Sequence, residues 1–296
     1  MKDDFLISVI TPFYNGNKYI KRLFNVLGKN YDSLKEKYPN AEMELIIVND
    51  SPEVEIVVPD LKIYFSYKVI KHELKYGIQQ ARVTGLNNCE GDYILFLDQD
   101  DELLNNAIVN QVEKIFQKKA DMVICNAYME KSDGSSCILY KSNEEFNRLT
   151  DLQFYLKSHN VIKSPGQCLV KKEIIPAEWK KFIMKKNGSD DLFLWILLLE
   201  KECRIAINKE PQYIHKFTGE NLSESEEKMT ISSLEIVEFL KNVDYVPKEH
   251  VDLLYRARTF SFQLRKGNLL DKIKEIWKNN DIFFYLVINK IKRGIS

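Results

Sequence analysis

The sequence predicts an α/β fold with a doubly wound, mostly parallel sheet and a helical region at its C-terminal end. Short apolar segments rich in β-branched residues occur at 7–11, 44–50, 92–98 and 121–126. Their uninterrupted hydrophobicity is typical of strands buried on both faces of a parallel sheet. Helical patterns over 17–38, 77–89 and 103–119 separate these strands. From residue 228 onward the pattern is helical throughout.

Composition limits the classes of protein that the chain can represent. Its 296 residues, 45% of them hydrophobic, are enough for one large domain with an appendage. Lys and Arg total 43, as do Asp and Glu, so no net charge points to a nucleic-acid partner. Five cysteines without a CxxC pair indicate reduced thiols, and the N-terminus lacks a signal-peptide pattern. We therefore expect a cytoplasmic protein.

The middle of the chain departs from the βα alternation. Segments 137–140 and 166–172 have the composition of isolated strands, and a helix is predicted to start at Ser189. Segments 204–208 and 212–217 are predicted to form a final pair of strands.

Polar residues follow each of the first three strands, at 12–15, 49–51 and 98–101. In a doubly wound sheet, ligands bind at the carboxyl ends of the strands, so these loops are expected to converge on one cleft. Neither GxGxxG nor GxxxxGK[ST] is present in the sequence. Phosphate charge would then have to be neutralised in another way, and a metal ion held by carboxylates would do so.

The segment FLDQDDEL carries the densest group of acids, with Asp98, Asp100, Asp101 and Glu102 in five positions. Mg²⁺ and Mn²⁺ prefer oxygen ligands and often take one or two carboxylates together with substrate phosphates. The alternative is that one or two of these acids cap the following helix, where the helix dipole favours negative charge. Capping would not account for all four.

Several motifs occur together in a characteristic order: PFYN after the first strand, IIVNDS ending the second, and FLDQDDEL after GDYI. With Gly77, Ala81-Arg82, Gly85 and Gly91-Asp92 between them, they make the chain resemble a family 2 glycosyltransferase of the GT-A fold. The resemblance is close over residues 7–125 and continues more thinly to about residue 223. It departs from the family pattern at Asn49, where a second acid is common, and at Val83, where an Asn is common.

The resemblance implies roles for individual residues. Pro12, Phe13 and Tyr14 would wall the base pocket, Asp50 would contact the base or ribose, and Arg82 would approach the diphosphate or support the acidic loops. Asp98, Asp100 and Asp101 would form the metal site for Mn²⁺ or Mg²⁺, with Asp100 the first choice as direct ligand. The complete nucleotide-binding set is Pro12, Phe13, Tyr14, Asn15, Asp50, Arg82, Asp98, Gln99 and Asp100.

A second acidic pair, Asp190-Asp191, precedes Leu194-Trp195 in NGSDDLFLW. The family places an acidic pair at the start of a helix, and Asp191 would be the general base that deprotonates the acceptor hydroxyl. The alternative is a helix N-terminus with Ser189 as its cap and two acids in its first turn.

The segment 213–223 resembles a loop that closes over the diphosphate in this family, which makes His215 and Lys216 candidates for that contact. A structural role for His215 stays open. Trp179 is a candidate platform for the acceptor sugar, although a packing role is favoured.

Residues 265–296 contain eight basic and three acidic residues and several aromatics. A basic, aromatic helix is typical of peripheral contact with an anionic membrane, and packing or homo-oligomerisation through these helices is the alternative.

Taken together, these features predict a metal-dependent, inverting glycosyltransferase. It would move sugar from a nucleotide-diphosphate donor, expected to be UDP-linked, to a saccharide or lipid-linked acceptor in cell-surface polysaccharide synthesis. The catalytic domain would span 1–225, with a nucleotide-binding half (1–126) and an acceptor half (127–225), before a helical region (226–296). The alternatives are a sugar-nucleotide nucleotidyltransferase and a non-catalytic sugar-nucleotide-binding module.

Overall fold

The computed structural model describes residues 4–217 and 226–295 of the chain. The chain divides into two compact units. The first contains Met1–Tyr140, Ile162–Ile175 and Cys203–Asn221, and the second contains Lys141–Val161, Pro176–Glu202 and Leu222–Ser296. Two segments before residue 225 thus belong to the second unit, and a domain boundary after residue 225 stays a prediction.

The first unit is built on a nine-stranded sheet in the order β3-β2-β1-β4-β8-β6-β9-β5, with β7 paired to β6. Its strands are β1 (Leu6–Phe13), β2 (Glu42–Asn49), β3 (Ser66–Lys71), β4 (Tyr93–Phe96), β5 (Glu102–Leu103), β6 (Met122–Glu130), β7 (Ser136–Ile138), β8 (Cys168–Lys171) and β9 (Ile205–Lys216). The helices of this unit are α1 (Asn17–Lys37), α2 (Ile78–Asn87) and α3 (Ala107–Lys118).

Strands β1 to β4 are parallel, with β1 between β2 and β4. Strand β8 then enters antiparallel between β4 and β6, and β6 pairs in parallel with β9. The predicted α/β class is confirmed, with a sheet that is parallel on one side and mixed on the other. The parallel side places the carboxyl ends of β1, β2 and β4 at one edge.

The core of this unit follows from the alternation of side chains along β1. Ile7, Val9 and Phe13 are completely buried on one face of the strand, where Ile20 and Leu27 of α1 belong to the same hydrophobic cluster. Burying each large apolar side chain stabilises the fold by about 1.5–3 kcal/mol. This packing fixes the end of β1, and therefore the loop that follows it.

Three elements differ from the predicted ones. Strand β3 was missed because most of its side chains are exposed, so it lacks an apolar run. The predicted strand pair at 204–217 is one strand, β9, which continues through an irregular register near Pro211. The helix predicted from residue 103 begins at Ala107, because Glu102 and Leu103 pair with β9 as β5.

The second unit is helical. Its helices are α4 (Asn143–Arg148), α5 (Leu152–Lys157), α6 (Ala177–Lys181), α7 (Asp190–Glu200), α8 (Glu226–Leu240), α9 (Lys248–Lys266), α10 (Leu269–Lys278) and α11 (Asn280–Ile295). The middle of α7 is buried all round, as its apolar sequence predicts. Arg258 of α9 is also buried and donates hydrogen bonds to the backbone oxygens of Tyr155 and Ser158 at the end of α5. Within the described residues, no helix combines the length and hydrophobicity needed to cross a bilayer.

Asp121 joins three strands of the first unit at the start of β6. Its carboxylate accepts hydrogen bonds from Nη2 of Arg204 at 2.9 Å and Nζ of Lys171 at 2.8 Å. The Arg204 hydrogen bonds, followed by those from Lys171, lower the pKa of Asp121 well below its usual range. The ionised carboxylate therefore stabilises the folded state.

We predict that Asp121→Asn lowers the free energy of unfolding by about 1–2 kcal/mol at pH 7, a modest figure because the guanidinium of Arg204 is largely exposed. A depressed pKa stabilises the fold above the unfolded pKa of about 4, and that contribution is lost as pH falls toward the folded pKa. The difference from wild type should therefore shrink at pH 3. Urea unfolding at pH 7 and pH 3 measures the difference in the free energy of unfolding between variant and wild type. Asp60→Asn, at an exposed position, is the control. An equal loss of stability at pH 7 and pH 3 would contradict the assignment.

Candidate active site

The three polar loops of the first unit meet, as predicted. The backbone N–H of Tyr14 donates to Oε1 of Gln99 at 3.0 Å, and Nε2 of Gln99 donates back to the Tyr14 carbonyl at 2.9 Å. The backbone N–H of Asn15 donates to Oγ of Ser51 at 2.9 Å. A Cβ at Gly16 would lie 2.0 Å from Oε1 of Gln99, so a larger residue there would displace the Gln99 side chain from these hydrogen bonds. These contacts join the loop after β1 to those after β2 and β4.

Asp50 is buried at the end of β2 and is fully engaged by the protein. Its Oδ1 accepts from the backbone N–H of Tyr76 at 2.7 Å and lies 2.8 Å from Nδ1 of His72. Its Oδ2 accepts from the backbone N–H of Gly77 at 2.8 Å. Gly77 has φ of 94°, a conformation that glycine adopts without strain. Asp50 therefore shapes the 76–77 loop, and its contact with a base or ribose stays a prediction.

Of the aromatic residues predicted to wall the base pocket, Tyr14 is exposed and Phe13 is buried. Phe13 is completely buried in the core, because side chains alternate along β1 and residue 13 shares the inward face of Ile7 and Val9. Its assignment to the pocket wall is corrected accordingly. Tyr14 is 47% exposed, with Nζ of Lys75 3.8 Å from its ring centroid. Tyr14 is thus the aromatic ring of this loop that a ligand can reach.

Arg82 supports the acidic loop, one of its two predicted roles. Its guanidinium is buried on α2, and Nη2 donates to Oδ1 of Asp98 at 2.6 Å. The other carboxylate oxygen, Oδ2, accepts from Oγ of Ser164 at 3.3 Å. Asp98 is therefore held through both of its oxygens by protein groups.

Asp101 lies beneath the loop, in a polar network supplied by β9. Its carboxylate accepts hydrogen bonds from the hydroxyl of Tyr213, from Nδ1 of His215 at 3.2 Å and from the backbone N–H of Lys216 at 2.9 Å. The Tyr213 hydroxyl also lies 2.7 Å from Oγ of Ser164. Ser164 consequently links Asp98 to Tyr213 and, through it, to Asp101.

The pKa shifts in this network follow from burial and charge. Burial, with the charges of Asp101 and Asp98, raises the pKa of the Tyr213 hydroxyl well above its ordinary value, so the hydroxyl remains a donor. Burial acts to lower the pKa of His215, but its hydrogen bond to Asp101 and that carboxylate's charge outweigh burial and raise it.

Asp100 is fixed through its backbone rather than its carboxylate. Its carbonyl accepts from Nη2 of Arg22 at 2.6 Å, and Nε of Arg22 lies 3.0 Å from the carboxylate of Glu102. Among the described residues, no other residue donates a hydrogen bond to the Asp100 carboxylate. Burial, then the charges of Asp101 and Asp98, raises its pKa to about 6. Asp100 is thus the carboxylate of the loop that lacks a neutralising protein partner.

The side chains that are available as ligands determine which kind of metal site the acidic loop can form. In the part of the chain that the structure describes, no group of three or more His, Cys, Asp or Glu side chains is arranged to hold a metal ion. The carboxylates of Asp98 and Asp101 are occupied by protein donors, whereas that of Asp100 is not. This arrangement fits Mg²⁺ or Mn²⁺ held by one carboxylate together with substrate phosphates. It does not fit a site built from protein ligands alone.

The basic candidates for the diphosphate loop are both engaged with acids. Nζ of Lys216 lies 2.7 Å from the carboxylate of Glu102 and 3.2 Å from that of Glu130, while His215 contacts Asp101. Residues 218–223 of the predicted loop lie outside the described residues. Contact of His215 and Lys216 with a diphosphate stays a prediction.

The second acidic pair lies at the start of α7, in the second unit. Oδ2 of Asp191 accepts from Nδ2 of Asn160 at 2.7 Å, and its Oδ1 accepts from the backbone N–H of Leu192 at 2.7 Å. Asp190 is buried, and its carbonyl accepts from Nε1 of Trp179 at 2.8 Å. Ser189 occupies the cap position but makes no side-chain capping hydrogen bond. Asp191 is therefore oriented by Asn160 rather than by the predicted serine cap.

Trp179 is completely buried, which confirms the packing role over that of an acceptor platform. Its N–H fixes the carbonyl of Asp190 and so helps to define where α7 begins. Asn160 also has a buried Oδ1 that accepts no hydrogen bond from the described residues. That oxygen lies on the same amide as the donor to Asp191.

Sequence reasoning missed the residues that hold the acids in place, namely Arg22, Asn160, Ser164 and Tyr213. Each reaches an acidic segment from a distant part of the chain, and only Tyr213 lies in a segment that the sequence analysis singled out for function. Only the spacing of Tyr213 and His215, two apart on a predicted strand, indicated that they share one face.

Comparison with known proteins identifies the family of the chain. Residues 8–177 match the model of glycosyl transferase family 2, and the chain belongs to this family. It is 32% identical over 149 residues to the glycosyltransferase GlyG of Streptococcus pneumoniae, a match covering 48% of this chain and 45% of GlyG.

The poly(ribitol-phosphate) β-N-acetylglucosaminyltransferase TarS of Staphylococcus aureus is 25% identical over 280 residues, covering 90% of this chain and 47% of TarS. The chain thus spans less than half the length of these curated relatives. The crystal structure of TarS residues 1–349 with UDP-GlcNAc has a TM-score of 0.61 and 19% identity, covering 93% of this chain and 80% of that one. The likeness to TarS confirms the expected GT-A fold.

We predict opposite stability effects for two matched substitutions in the acidic loop. Asp98→Asn removes the carboxylate charge paired with the buried guanidinium of Arg82 and should destabilise the protein by about 2–4 kcal/mol. Asp100→Asn removes an ionised group from beside two like charges and should stabilise it by about 1–2 kcal/mol at pH 7.5.

Urea unfolding without added divalent cations measures both free energies. Because the raised pKa of Asp100 means that ionisation costs stability as pH rises through about 6, the gain from Asp100→Asn should vanish near pH 4. Destabilisation by Asp100→Asn at pH 7.5 would contradict this division of roles.

Proposed function

We propose that the protein is an inverting, metal-dependent glycosyltransferase that uses a UDP-sugar donor. The observation that carries this proposal is the unequal pairing of the acidic loop, in which the protein neutralises Asp98 and Asp101 but leaves Asp100 without a partner. A nucleotide diphosphate and its cation together supply the missing charge.

UDP is favoured as the nucleotide by the relatives. Structures of TarS have been determined with UDP-GlcNAc and with UDP, and TarS is named for the transfer of N-acetylglucosamine. A UDP-N-acetylhexosamine is therefore the first donor to test here. In this chain Tyr14 would pack against the nucleotide, and the loops held together by Gln99 and Ser51 would form the rest of the pocket.

Mg²⁺ or Mn²⁺ would be held by Asp100 together with the donor phosphates. Bound there, the cation would stabilise the negative charge of the departing diphosphate. Asp98 and Asp101, predicted as further ligands, would instead position the loop through Arg82, Ser164 and Tyr213.

Asp191 would act as the general base. Its carboxylate takes the proton of an acceptor hydroxyl while that oxygen forms a bond to the anomeric carbon of the donor sugar. The bond from the anomeric carbon to the phosphate oxygen breaks, and its electron pair leaves with UDP. Attack opposite to the leaving group inverts the anomeric configuration. Asn160 holds Oδ2 of Asp191 in place during this step.

The acceptor would be a saccharide or a lipid-linked saccharide in cell-surface polysaccharide synthesis. TarS is named for action on poly(ribitol-phosphate), and this chain aligns with nearly half of its length. Membership of the glycosyltransferase family disfavours the nucleotidyltransferase alternative. Slow hydrolysis of the donor without acceptor would separate an enzyme from a non-catalytic binding module.

We predict that UDP binding depends on a divalent cation. Calorimetric titration with Mn²⁺ should give an affinity at least about tenfold higher than titration in EDTA, because the cation offsets the repulsion between Asp100 and the diphosphate. Asp100→Asn should remove most of this difference. Glu102→Gln neutralises a neighbouring carboxylate already paired with Arg22 and Lys216 and should retain the cation dependence. Equal affinity of the wild type with Mn²⁺ and with EDTA would exclude the cation.

We predict that Asp191→Asn lowers the rate of transfer by about 10²–10⁴-fold, since the amide cannot accept the proton. Its free energy of unfolding should change by no more than about 1 kcal/mol, and UDP affinity should remain. Asp190→Asn is the control and should affect transfer less, because Asp191 is the member held by Asn160. Intact transfer with lost stability in Asp191→Asn would make the residue a helix cap.

A further inference from the structure

Helix α10 exposes a row of large apolar side chains. Leu269, Leu270 and Trp277 are 74%, 70% and 77% exposed, and Ile273 is 45% exposed. At about 100° per residue, these four positions fall within an arc of about 100° on one side of the helix. A contiguous apolar surface of this kind on a folded domain usually marks a site of interaction.

The attachment of α10 to its own unit lies at one edge of this row, since Ile276 is only about 20° from Leu269 around the helix. Ile276 is the α10 residue that packs against the buried cluster of Ala257, Phe260 and Ile282. Leu269, Leu270 and Trp277 are nevertheless at least 70% exposed. We call Leu269, Leu270, Ile273 and Trp277, with the flanking Lys272 and Lys274, the α10 surface.

Charge is arranged around the apolar row in a specific pattern. Lys272 and Lys274 lie on its two flanks, each about 100° from its centre, while Asp271 and Glu275 lie on the opposite side. Within the described residues, neither lysine forms an ion pair with a carboxylate. Both flanks of the apolar row are thus positive, and the acids of α10 lie on the opposite side of the helix.

We propose that the α10 surface binds an anionic lipid bilayer, with the helix lying in the plane of the interface. The apolar row would enter the boundary between headgroups and acyl chains, Trp277 would sit at headgroup level, and the lysines would reach lipid phosphates. The acids would remain in water. At ten residues, the helix is about 15 Å long and suits a surface position.

Charge favours a bilayer over a second copy of the chain as the occupant. In a two-fold interface through the α10 surface, both flanks of one helix carry lysine and would face flanks that also carry lysine. Like charges across such an interface repel, whereas anionic headgroups attract them. The surrounding sequence adds to this attraction, since residues 265–296 have eight basic and three acidic residues in a chain with no net charge.

Helix α11 repeats the pattern in a second exposed apolar row. Phe284, Ile288 and Ile291 are 59%, 51% and 55% exposed at spacings of four and three residues, with Lys290 and Lys292 close by in the sequence. Two consecutive helices of the second unit thus each expose an apolar row accompanied by lysines.

The tryptophans provide a direct probe. The chain has three, and Trp179 and Trp195 are 0% and 2% exposed, so Trp277 is the one in contact with solvent. With vesicles of phosphatidylcholine and phosphatidylglycerol at low salt, the protein should sediment with the lipid. The emission of Trp277 should shift to shorter wavelength and become protected from acrylamide. High salt should release the protein, since it screens the surface charge.

Matched variants test the named residues. Leu270→Glu should reduce vesicle binding by about tenfold or more, because it places a charge in the apolar row. Val57→Glu makes the same kind of change at an equally exposed site of the first unit, 68% exposed, and should bind as the wild type. Lys272→Gln with Lys274→Gln should weaken binding, whereas Lys114→Gln with Lys118→Gln on α3 should not.

Three results would overturn the proposal. The first is no sedimentation of the wild type with anionic vesicles at low salt. The second is equal binding to vesicles of phosphatidylcholine alone, which would remove the role of the lysines. The third is protection of Trp277 without lipid and with a doubled mass, which would identify a second copy as the occupant. These measurements need neither donor nor acceptor, so they are independent of the proposed transfer reaction.

Discussion

The buried position of Asp101 is the constraint on which the acidic loop depends. An ionised carboxylate can be buried only where hydrogen bonds replace its water, and here β9 supplies them from Tyr213, His215 and the backbone of Lys216. The loop is thereby anchored at its C-terminal end. Its N-terminal end is anchored through Asp98 and the buried guanidinium of Arg82. Asp100 is left between two fixed like charges.

The unequal pairing of the acids explains how the fold accommodates four of them in five positions. Asp98 and Asp101 are held by protein donors, whereas Asp100, whose pKa is raised to about 6, weakens stability at neutral pH. Strain of this electrostatic kind is typical of functional sites, because a ligand that relieves it gains affinity. The two acids at the start of α7 are likewise held by different groups. The backbone of Asp190 is fixed by buried Trp179, while the carboxylate of Asp191 accepts hydrogen bonds from Asn160 and from the backbone N–H of Leu192.

Local patterns in the sequence predicted the strands with apolar runs and the convergence of the loops after β1, β2 and β4. Phe13 is buried because side chains alternate along β1 and residue 13 lies on the same face as Ile7 and Val9. The PFYN motif around it had suggested a pocket wall instead. Residues that contact each other from distant parts of the sequence leave no such local pattern. Tyr213 and Asp101 are 112 residues apart, and Asn160 reaches Asp191 from an unpredicted segment. Strand β3 was missed because edge strands with exposed side chains lack a hydrophobic signature.

The central claim is that Asp100 alone, of the three aspartates in the loop, is available to a cation carried by the donor. Anomalous diffraction from crystals grown with UDP and Mn²⁺ tests it most directly. We expect one manganese peak at about 2 Å from a carboxylate oxygen of Asp100 and from phosphate oxygens. Asp98 should remain paired with Arg82, and Asp101 with Tyr213. A peak coordinated by Asp98 or Asp101 with these pairs broken, or bound UDP without manganese, would contradict it.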